Sequence, residues 1–160
     1  MSGLGHDLAN LYARELDRLA GEIAAYTNHA DLWRTAGMQK NPPGALALHT
    51  VGGLLSMIGD ALGGTGYVRD RDREFSERDV PQAEIVRRIR ECRDIVVPIL
   101  EGLDDDALAG THPGNVPDRL KGITTRAFLL HLLWHIGWHQ GHIYYHRLGL
   151  GEPRSEVGAE

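Results

Sequence analysis

Histidine is the residue type whose number and spacing in this sequence point to chemistry. Nine histidines occur in 160 residues, and five of them lie within the segment Phe128–Gly149. At about 100° of rotation per residue, these five side chains fall within a helical sector about 80° wide. They are His131, His135, His139, His142 and His146. Because Phe128 falls in the same sector, we expect this face to be turned partly toward the interior.

This spacing is typical of a divalent-metal site. Imidazole binds metal ions near neutral pH without a large cost of deprotonation. Two histidines four residues apart on a helix have Cβ atoms about 5–6 Å apart, which suits two ligands of one ion. The pairs with this spacing are His131/His135, His135/His139 and His142/His146. One helix cannot surround an ion, so we expect a further ligand from another segment.

His49 is the best candidate for that further ligand. It lies in the apolar stripe of a predicted helix, beside Leu48 and Val51. The remaining histidines, in less constrained positions, are His6, His29 and His112. A lone core histidine is more often hydrogen-bonded than metal-bound, and His142 and His146 fit that reading or a surface position. The whole group favours a metal site, because several buried imidazoles without partners would cost a few kcal/mol each.

Four amphipathic segments must position these residues. Each has apolar residues at helical spacing. The predicted helices run from about Gly5 to Ala36, Ala45 to Leu62, Pro81 to Leu103, and from the N-cap Thr124 to Gly149. Pro98 should kink the third helix or end it early. The polar segments Tyr67–Asp79 and Asp104–Gly122 are predicted to be connecting loops.

The absence of sustained period-two alternation predicts essentially no β-sheet. We therefore expect an all-α chain, a four-helix bundle with long connections, and a single domain over residues 1–160. Two faces carry small residues at helical spacing, which favour close helix contact within the bundle or across a dimer. The first face carries Gly137 and Gly141, and the second carries Gly52, Ser56 and Gly59.

Composition narrows the classes of partner. The formal net charge is −5, which argues against a nucleic-acid-binding protein. Cys92 is the only cysteine, so no intrachain disulfide can form, and its place on an apolar stripe predicts a core residue. We expect a cytoplasmic protein, with no signal peptide at Met1–Asn10 and no segment that spans a membrane.

Three segments resemble the DinB-like (YfiT-related) superfamily. Leu129–Arg147 contains His135 and His139 in a His-x-x-x-His pair with an aromatic and basic end, and it resembles the C-terminal helix of that family. Asn41–His49 resembles the start of the family's second helix. Gly63–Phe75, with alternating Arg and Asp, resembles the loop of one branch.

The resemblance implies a four-helix bundle that holds a divalent ion, commonly zinc or nickel, on His49, His135 and His139. Accessory roles would fall to the other histidines of the sector, His131, His142 and His146. His142 stands where the family usually has Gln, and Gly53 stands where this branch often has Asn. The resemblance also implies a homodimer.

A three-histidine site leaves one coordination position open, where a metal ion can acidify water or activate a thiolate. Some members of the superfamily resemble S-transferases and isomerases that use a low-molecular-weight thiol. The leading hypothesis is therefore a metal-dependent thiol S-transferase with a small-molecule substrate, helped by His142, Tyr145 or Arg147. The alternatives are a noncatalytic metal-binding stress-response protein, a metal-dependent hydrolase, and a haem-binding bundle with axial histidines from opposite helices.

Overall fold

The regular backbone of this chain is helical. The computed structural model describes residues 3–151, and within them the extended pairing consists of an isolated bridge between Thr111 and Thr124. The α-helices are α1 (Leu4–Ala24), α2 (Pro43–Leu54), α3 (Arg71–Ser76), α4 (Gln82–Glu101), α5 (Asp105–Ala109) and α6 (Thr125–Gly149). The all-α prediction is confirmed.

The first helix ends earlier than predicted. We expected it to continue to Ala36, but α1 ends at Ala24 and the chain then forms a 3-10 turn at His29–Trp33. Asn28 caps this turn by accepting a hydrogen bond from the backbone N–H of Ala30, at 3.3 Å. Asparagine favours caps over helix interiors because its side chain competes for backbone hydrogen bonds. A new, locally capped turn therefore begins where the apolar pattern alone would extend the first helix.

Two segments that were predicted to be loops contain short helices. Tyr67–Asp79 contains α3, where the carboxylate of Asp70 accepts from the backbone N–H three residues ahead, at 2.9 Å. Asp104–Gly122 contains α5, which Asp104 caps in the same way at 2.8 Å. Both helices are too short and too polar to produce a visible apolar period. The loop prediction is wrong at these places, and α3 proves central to the candidate site.

The second predicted helix includes a change of helix type. α2 passes into a π-helical turn at Leu55–Asp60. The backbone amides that follow this turn donate to carbonyls on either side of Met57. The Met57 carbonyl instead accepts a hydrogen bond from Nε2 of His112, at 3.0 Å. A π turn leaves helix carbonyls without their usual partner, and the imidazole of His112 supplies the missing donor.

The helices α4 and α6 correspond to the third and fourth predicted helices and follow those predictions closely. α4 continues past Pro98 to Glu101, so the proline does not end it early. α6 begins after Thr124, whose hydroxyl accepts from the backbone N–H of Ala127 at 3.4 Å. It ends at Gly149 as predicted. No helix among residues 3–151 combines the length and apolar character that crossing a membrane requires.

The four long helices pack around one apolar core. α1 packs against α4 and α6, and α2 packs against α4 and α6 as well. Fully buried side chains come from each of them, among them Leu16, Leu54, Cys92 and Ile136. The core position predicted for Cys92 is confirmed, and burial raises the pKa of its thiol to about 12. The thiol therefore stays protonated and unreactive.

Two buried tyrosines fix the position of α6 along its own axis. The hydroxyl of Tyr12 donates to the Leu129 carbonyl at 2.6 Å, and the hydroxyl of Tyr26 lies 3.1 Å from the Ile143 carbonyl. These carbonyls lie on either side of the part of α6 that carries the central histidines. The first helix and the residues after it therefore set the height at which those histidines meet α2.

Candidate metal centre

Three histidines meet between α2 and α6. His49 comes from α2, and His135 and His139 come from successive turns of α6. One ring nitrogen of each lies within 4.8 Å of one nitrogen of both others. Nε2 of His135 and Nε2 of His139 are 2.9 Å apart, and the His49 ring stands edge-on to both. The structure thus brings together the three residues that the sequence predicted as ligands.

The chemistry of these nitrogens fits a divalent metal ion. Two nitrogens bound tetrahedrally to one zinc at about 2.0–2.1 Å lie about 3.3 Å apart, close to the separation between His135 and His139. Burial, the neighbouring histidines and Arg69 lower the pKa of His135 to about 4. Burial and the neighbouring histidines lower the pKa of His139 to about 3. Both rings are therefore neutral at pH 7 and keep a lone pair for a metal ion.

His49 is oriented by a carboxylate that the sequence analysis did not place in the site. Glu74, on α3, lies with its Oε2 2.9 Å from Nδ1 of His49. Arg69 holds the same carboxylate with two hydrogen bonds, at 2.7 and 2.9 Å. Burial acts to raise the pKa of Glu74. The hydrogen bonds from His49 and Arg69 and the charge of Arg69 lower this pKa by more than burial raises it, so the net shift is downward.

An ionised Glu74 settles which nitrogen of His49 carries the proton. The carboxylate only accepts hydrogen bonds, so Nδ1 of His49 donates to it. Nη2 of Arg69 also lies 3.2 Å from that nitrogen, but a guanidinium only donates. Nε2 of His49 is then left with a free lone pair. Metal-binding histidines commonly have this arrangement, in which the outer nitrogen bonds to a carboxylate.

His139 lacks an equivalent partner. Its Nδ1 is buried and has no hydrogen-bond partner in the part of the chain that the structure describes. Its Nε2 contacts the Nε2 of His135. An imidazole in this position gains little from protein hydrogen bonds, so its placement is not explained by packing alone. A metal ion shared with His135 would supply the missing interaction at Nε2.

Gly52 leaves the space that the carboxylate of Glu74 occupies. A Cβ at position 52 would overlap Oε1 of Glu74 and lie 2.7 Å from its carboxyl carbon. We predicted that Gly52 permits close helix contact, and the structure shows that the group in contact is the side chain of Glu74. In contrast, a Cβ at Gly137 or Gly141 would meet nothing within 4 Å among the described residues. Those two glycines do not serve packing between helices of the described chain.

The three accessory histidines lie in different surroundings. His131 is half-buried and stacks beside His135, with ring centroids 6.4 Å apart. His142 is exposed and stands edge-on to Trp138. His146 is buried two turns beyond His139, where Nε2 donates to the carbonyl of Arg34 and Nδ1 bonds to the hydroxyl of Tyr26, each at 2.9 Å. The shared sector is correct: His131 lies beside His135 and His142 lies beside His139, each with ring centroids 6.4 Å apart, whereas His146 bonds to groups away from the triad.

The two other helper residues named from the sequence lie beyond the triad, near the C-terminal end of α6. Tyr145 is 72% exposed. Arg147 is fully buried and contacts Glu22 of α1 through Nε and Nη2, with the shorter contact at 2.9 Å. Burial of this guanidinium requires the carboxylate beside it. Arg147 therefore stabilises the contact between α6 and α1.

A cavity of about 410 Å³ opens onto the triad. His49, His135 and His139 form part of its lining, and the wall on α6 is completed by Trp134 and Trp138. The volume suits a small metabolite or part of a larger ligand. A ligand in this cavity would reach the histidine nitrogens directly.

Sequence reasoning missed Glu74 and Arg69 as parts of the site. They were noted only as members of the segment that resembles a family loop. A short polar helix has no apolar period, so pattern analysis cannot place its side chains.

Comparison with protein-family models, with curated proteins and with solved structures finds no match for this chain.

Proposed function

We propose that this chain is a divalent-metal-binding protein of the DinB-like type, a four-helix bundle in which His49, His135 and His139 hold one zinc or nickel ion. The observation that carries the proposal is the meeting of three histidine nitrogens within 4.8 Å. The bond from His49 to the buried carboxylate of Glu74 supports it, because that bond turns Nε2 toward α6. Packing alone does not require a carboxylate there.

The activity that this site best supports is transfer of a low-molecular-weight thiol to a small-molecule substrate. When bound, a divalent ion on three histidines supplies one open position at which a thiol or water becomes more acidic. The protein contributes the orientation of His49 through Glu74 and a cavity that admits a ligand. His131 lines that cavity and is the accessory histidine that we assign to proton exchange with the ligand.

Metal content tests the proposal directly. Elemental mass spectrometry should find about one zinc or nickel ion per chain in the wild type and none in the variant His49→Ala/His135→Ala/His139→Ala. The control removes two exposed histidines outside the site instead, as His6→Ala/His29→Ala, and should keep the ion. If the wild type binds neither metal after both have been added, the proposal is wrong.

The transferase activity needs a separate measurement. Turnover of electrophilic test substrates should require both the metal and an added low-molecular-weight thiol. Turnover that persists after complete removal of the metal would contradict the proposed role of the triad. Turnover that needs the metal but no thiol would identify the hydrolase alternative.

We also propose a homodimer that uses the exposed side of α6 around Gly137 and Gly141. The open space beside both glycines supports this, because a second chain could approach the helix closely there. Light scattering should give twice the chain mass for the wild type. Gly141→Arg should give a monomer with unchanged helix content, and a wild-type monomer would contradict the proposal.

A further inference from the structure

The charge around the triad has the opposite sign to the charge of the whole chain. The formal net charge is −5, yet the described residues that line the cavity include three arginines and no aspartate or glutamate. The arginines are Arg69, Arg71 and Arg119. Guanidinium groups stay charged at all physiological pH values. The cavity is therefore a positively charged region on an acidic protein.

Two of these arginines are not neutralised by a neighbouring carboxylate. Arg69 is bound by Glu74. Arg71 and Arg119, in contrast, form no ion pair within residues 3–151. The acidic neighbour of Arg119 in sequence, Asp118, pairs with Lys121 at 2.8 Å. Two guanidinium groups thus keep their hydrogen-bonding capacity for a ligand.

Arg71 is connected to the triad by successive contacts with Phe75 and His49. Its guanidinium lies over the ring of Phe75, 5.2 Å from the centroid. The Phe75 ring in turn packs on the imidazole of His49, with centroids 4.7 Å apart. Arg119 approaches the same cavity from the 3-10 turn Asp118–Leu120. An anionic group held by these arginines would lie within a small molecule's length of the histidines.

Apolar side chains also line the cavity. Trp134 and Trp138 line it with their rings 5.7 Å apart, and they are 58% and 54% exposed. Leu120 and Leu132 also belong to the lining. Exposed indole rings gain free energy when an apolar group covers them. The cavity therefore combines positively charged and apolar side chains.

We propose that this cavity takes a small organic anion, in which a carboxylate or phosphate group binds Arg71 and Arg119 and an apolar segment lies against Trp134 and Trp138. Guanidinium binds both oxyanions through charge-assisted hydrogen bonds, so the shared chemistry is the oxyanion. The inference deepens the proposed function, since it names the class of substrate or thiol that the metal site would meet. The recognition itself resides in the arginines and tryptophans.

Two of the three tryptophans in the chain line the cavity, so intrinsic fluorescence reports its occupation. The probes are hexanoate, hexyl phosphate and neutral hexanamide, which share one apolar segment. We expect a saturable change with Kd below about 1 mM for at least one anion, and at least about tenfold weaker binding of the amide. Whichever anion binds more tightly identifies the oxyanion. Equal affinity for anion and amide, or no saturable change with any probe, would overturn the inference.

Paired variants separate the cavity from the overall charge. Arg71→Gln/Arg119→Gln should weaken anion binding about tenfold, to the level of the amide, and leave zinc content unchanged. Arg90→Gln/Arg126→Gln removes two exposed arginines outside the cavity and should bind the anion as the wild type does. An equal loss of anion affinity in both variants would mean that the overall charge of the protein causes the preference, and would overturn the inference.

Failure of this inference can be told apart from failure of the metal site. The same fluorescence titration is run on the protein as purified and after chelation. A protein that binds no metal but still prefers the anion, with loss only in Arg71→Gln/Arg119→Gln, contradicts the proposed metal function and supports this inference. A protein that binds zinc through the triad but shows no anion preference contradicts this inference alone.

Discussion

The imidazole of His49 and the carboxylate of Glu74 are joined by a hydrogen bond of 2.9 Å, although 25 positions separate them in the chain. Glu74 is 6% exposed and is held from its other side by Arg69. The bond occupies Nδ1 of His49, so its Nε2 is free to face His135 and His139. A carboxylate on a helix of six residues thus orients a candidate ligand on α2.

Replacement of this carboxylate should weaken metal binding without removing a ligand. Glu74→Gln keeps the size of the side chain but loses the charge that holds Nδ1–H of His49. Loss of such a partner typically lowers metal affinity about 10–100-fold. The affinity for zinc can be measured by competition with a chromophoric chelator. Asp72→Asn, an exposed change on the same helix, is the control, and equal affinities in both variants would contradict the role of Glu74.

A methyl group at position 52 should have a similar effect for a steric reason. Gly52→Ala places a Cβ against the carboxylate of Glu74, which must move away from His49. Alanine otherwise stabilises a helix by up to about 1 kcal/mol relative to glycine, so a loss of stability would come from this overlap. At the next position, Gly53→Ala makes only an ordinary contact of 3.5 Å with Arg69. We expect weaker zinc binding for the first variant and wild-type binding for the second.

His112 should make the free energy of unfolding depend on pH. Burial lowers the pKa of His112, and the bond to the Met57 carbonyl only partly offsets this shift. Its Nδ1 accepts from the backbone N–H of Gly114 at 3.0 Å, so protonation would remove that bond. Below the usual histidine pKa of about 6.5, the unfolded chain binds a proton that the folded chain resists. Stability is therefore full above that pH and falls as the pH decreases.

The variant His112→Gln tests this dependence. Glutamine has no proton to gain in this range, so the decrease in the free energy of unfolding from pH 7.5 to pH 5.5 should be smaller than in the wild type. The other buried histidines keep part of the decrease in both proteins. Urea denaturation at both pH values measures the difference, with the metal conditions held equal. An identical decrease in the two proteins would show that His112 does not contribute.

The buried pair between Glu22 and Arg147 should matter far more than an exposed pair. Glu22→Gln removes a carboxylate that contacts a fully buried guanidinium, and breaking a buried ion pair costs about 3 kcal/mol or more. Glu91→Gln removes the carboxylate of an exposed pair with Arg87 and should cost far less, because solvent screens that pair. Denaturant titration of both variants compares the two losses. Similar losses would mean that Arg147 finds adequate compensation elsewhere.

The helical class and the three candidate ligands could be predicted from the sequence because both depend on local periodicity. Apolar residues at helical spacing indicated the segments that became α2, α4 and α6, and four-residue spacing put His135 and His139 on one side of a helix. His49 was predicted because an imidazole in an apolar stripe is unusual. The same reasoning made the first helix too long, since it gave no weight to the cap at Asn28.

The angular arrangement of side chains around each helix follows from the sequence alone, because an α-helix has 3.6 residues per turn. Position along and between helices was decided only by the tertiary structure. The sector that contains His139 also contains His146, but His146 lies about 10 Å further along the axis and bonds to the Arg34 carbonyl. Glu74 reaches His49 only because α3 folds onto α2 at Gly52. Such contacts depend on packing between distant segments, which no local pattern encodes.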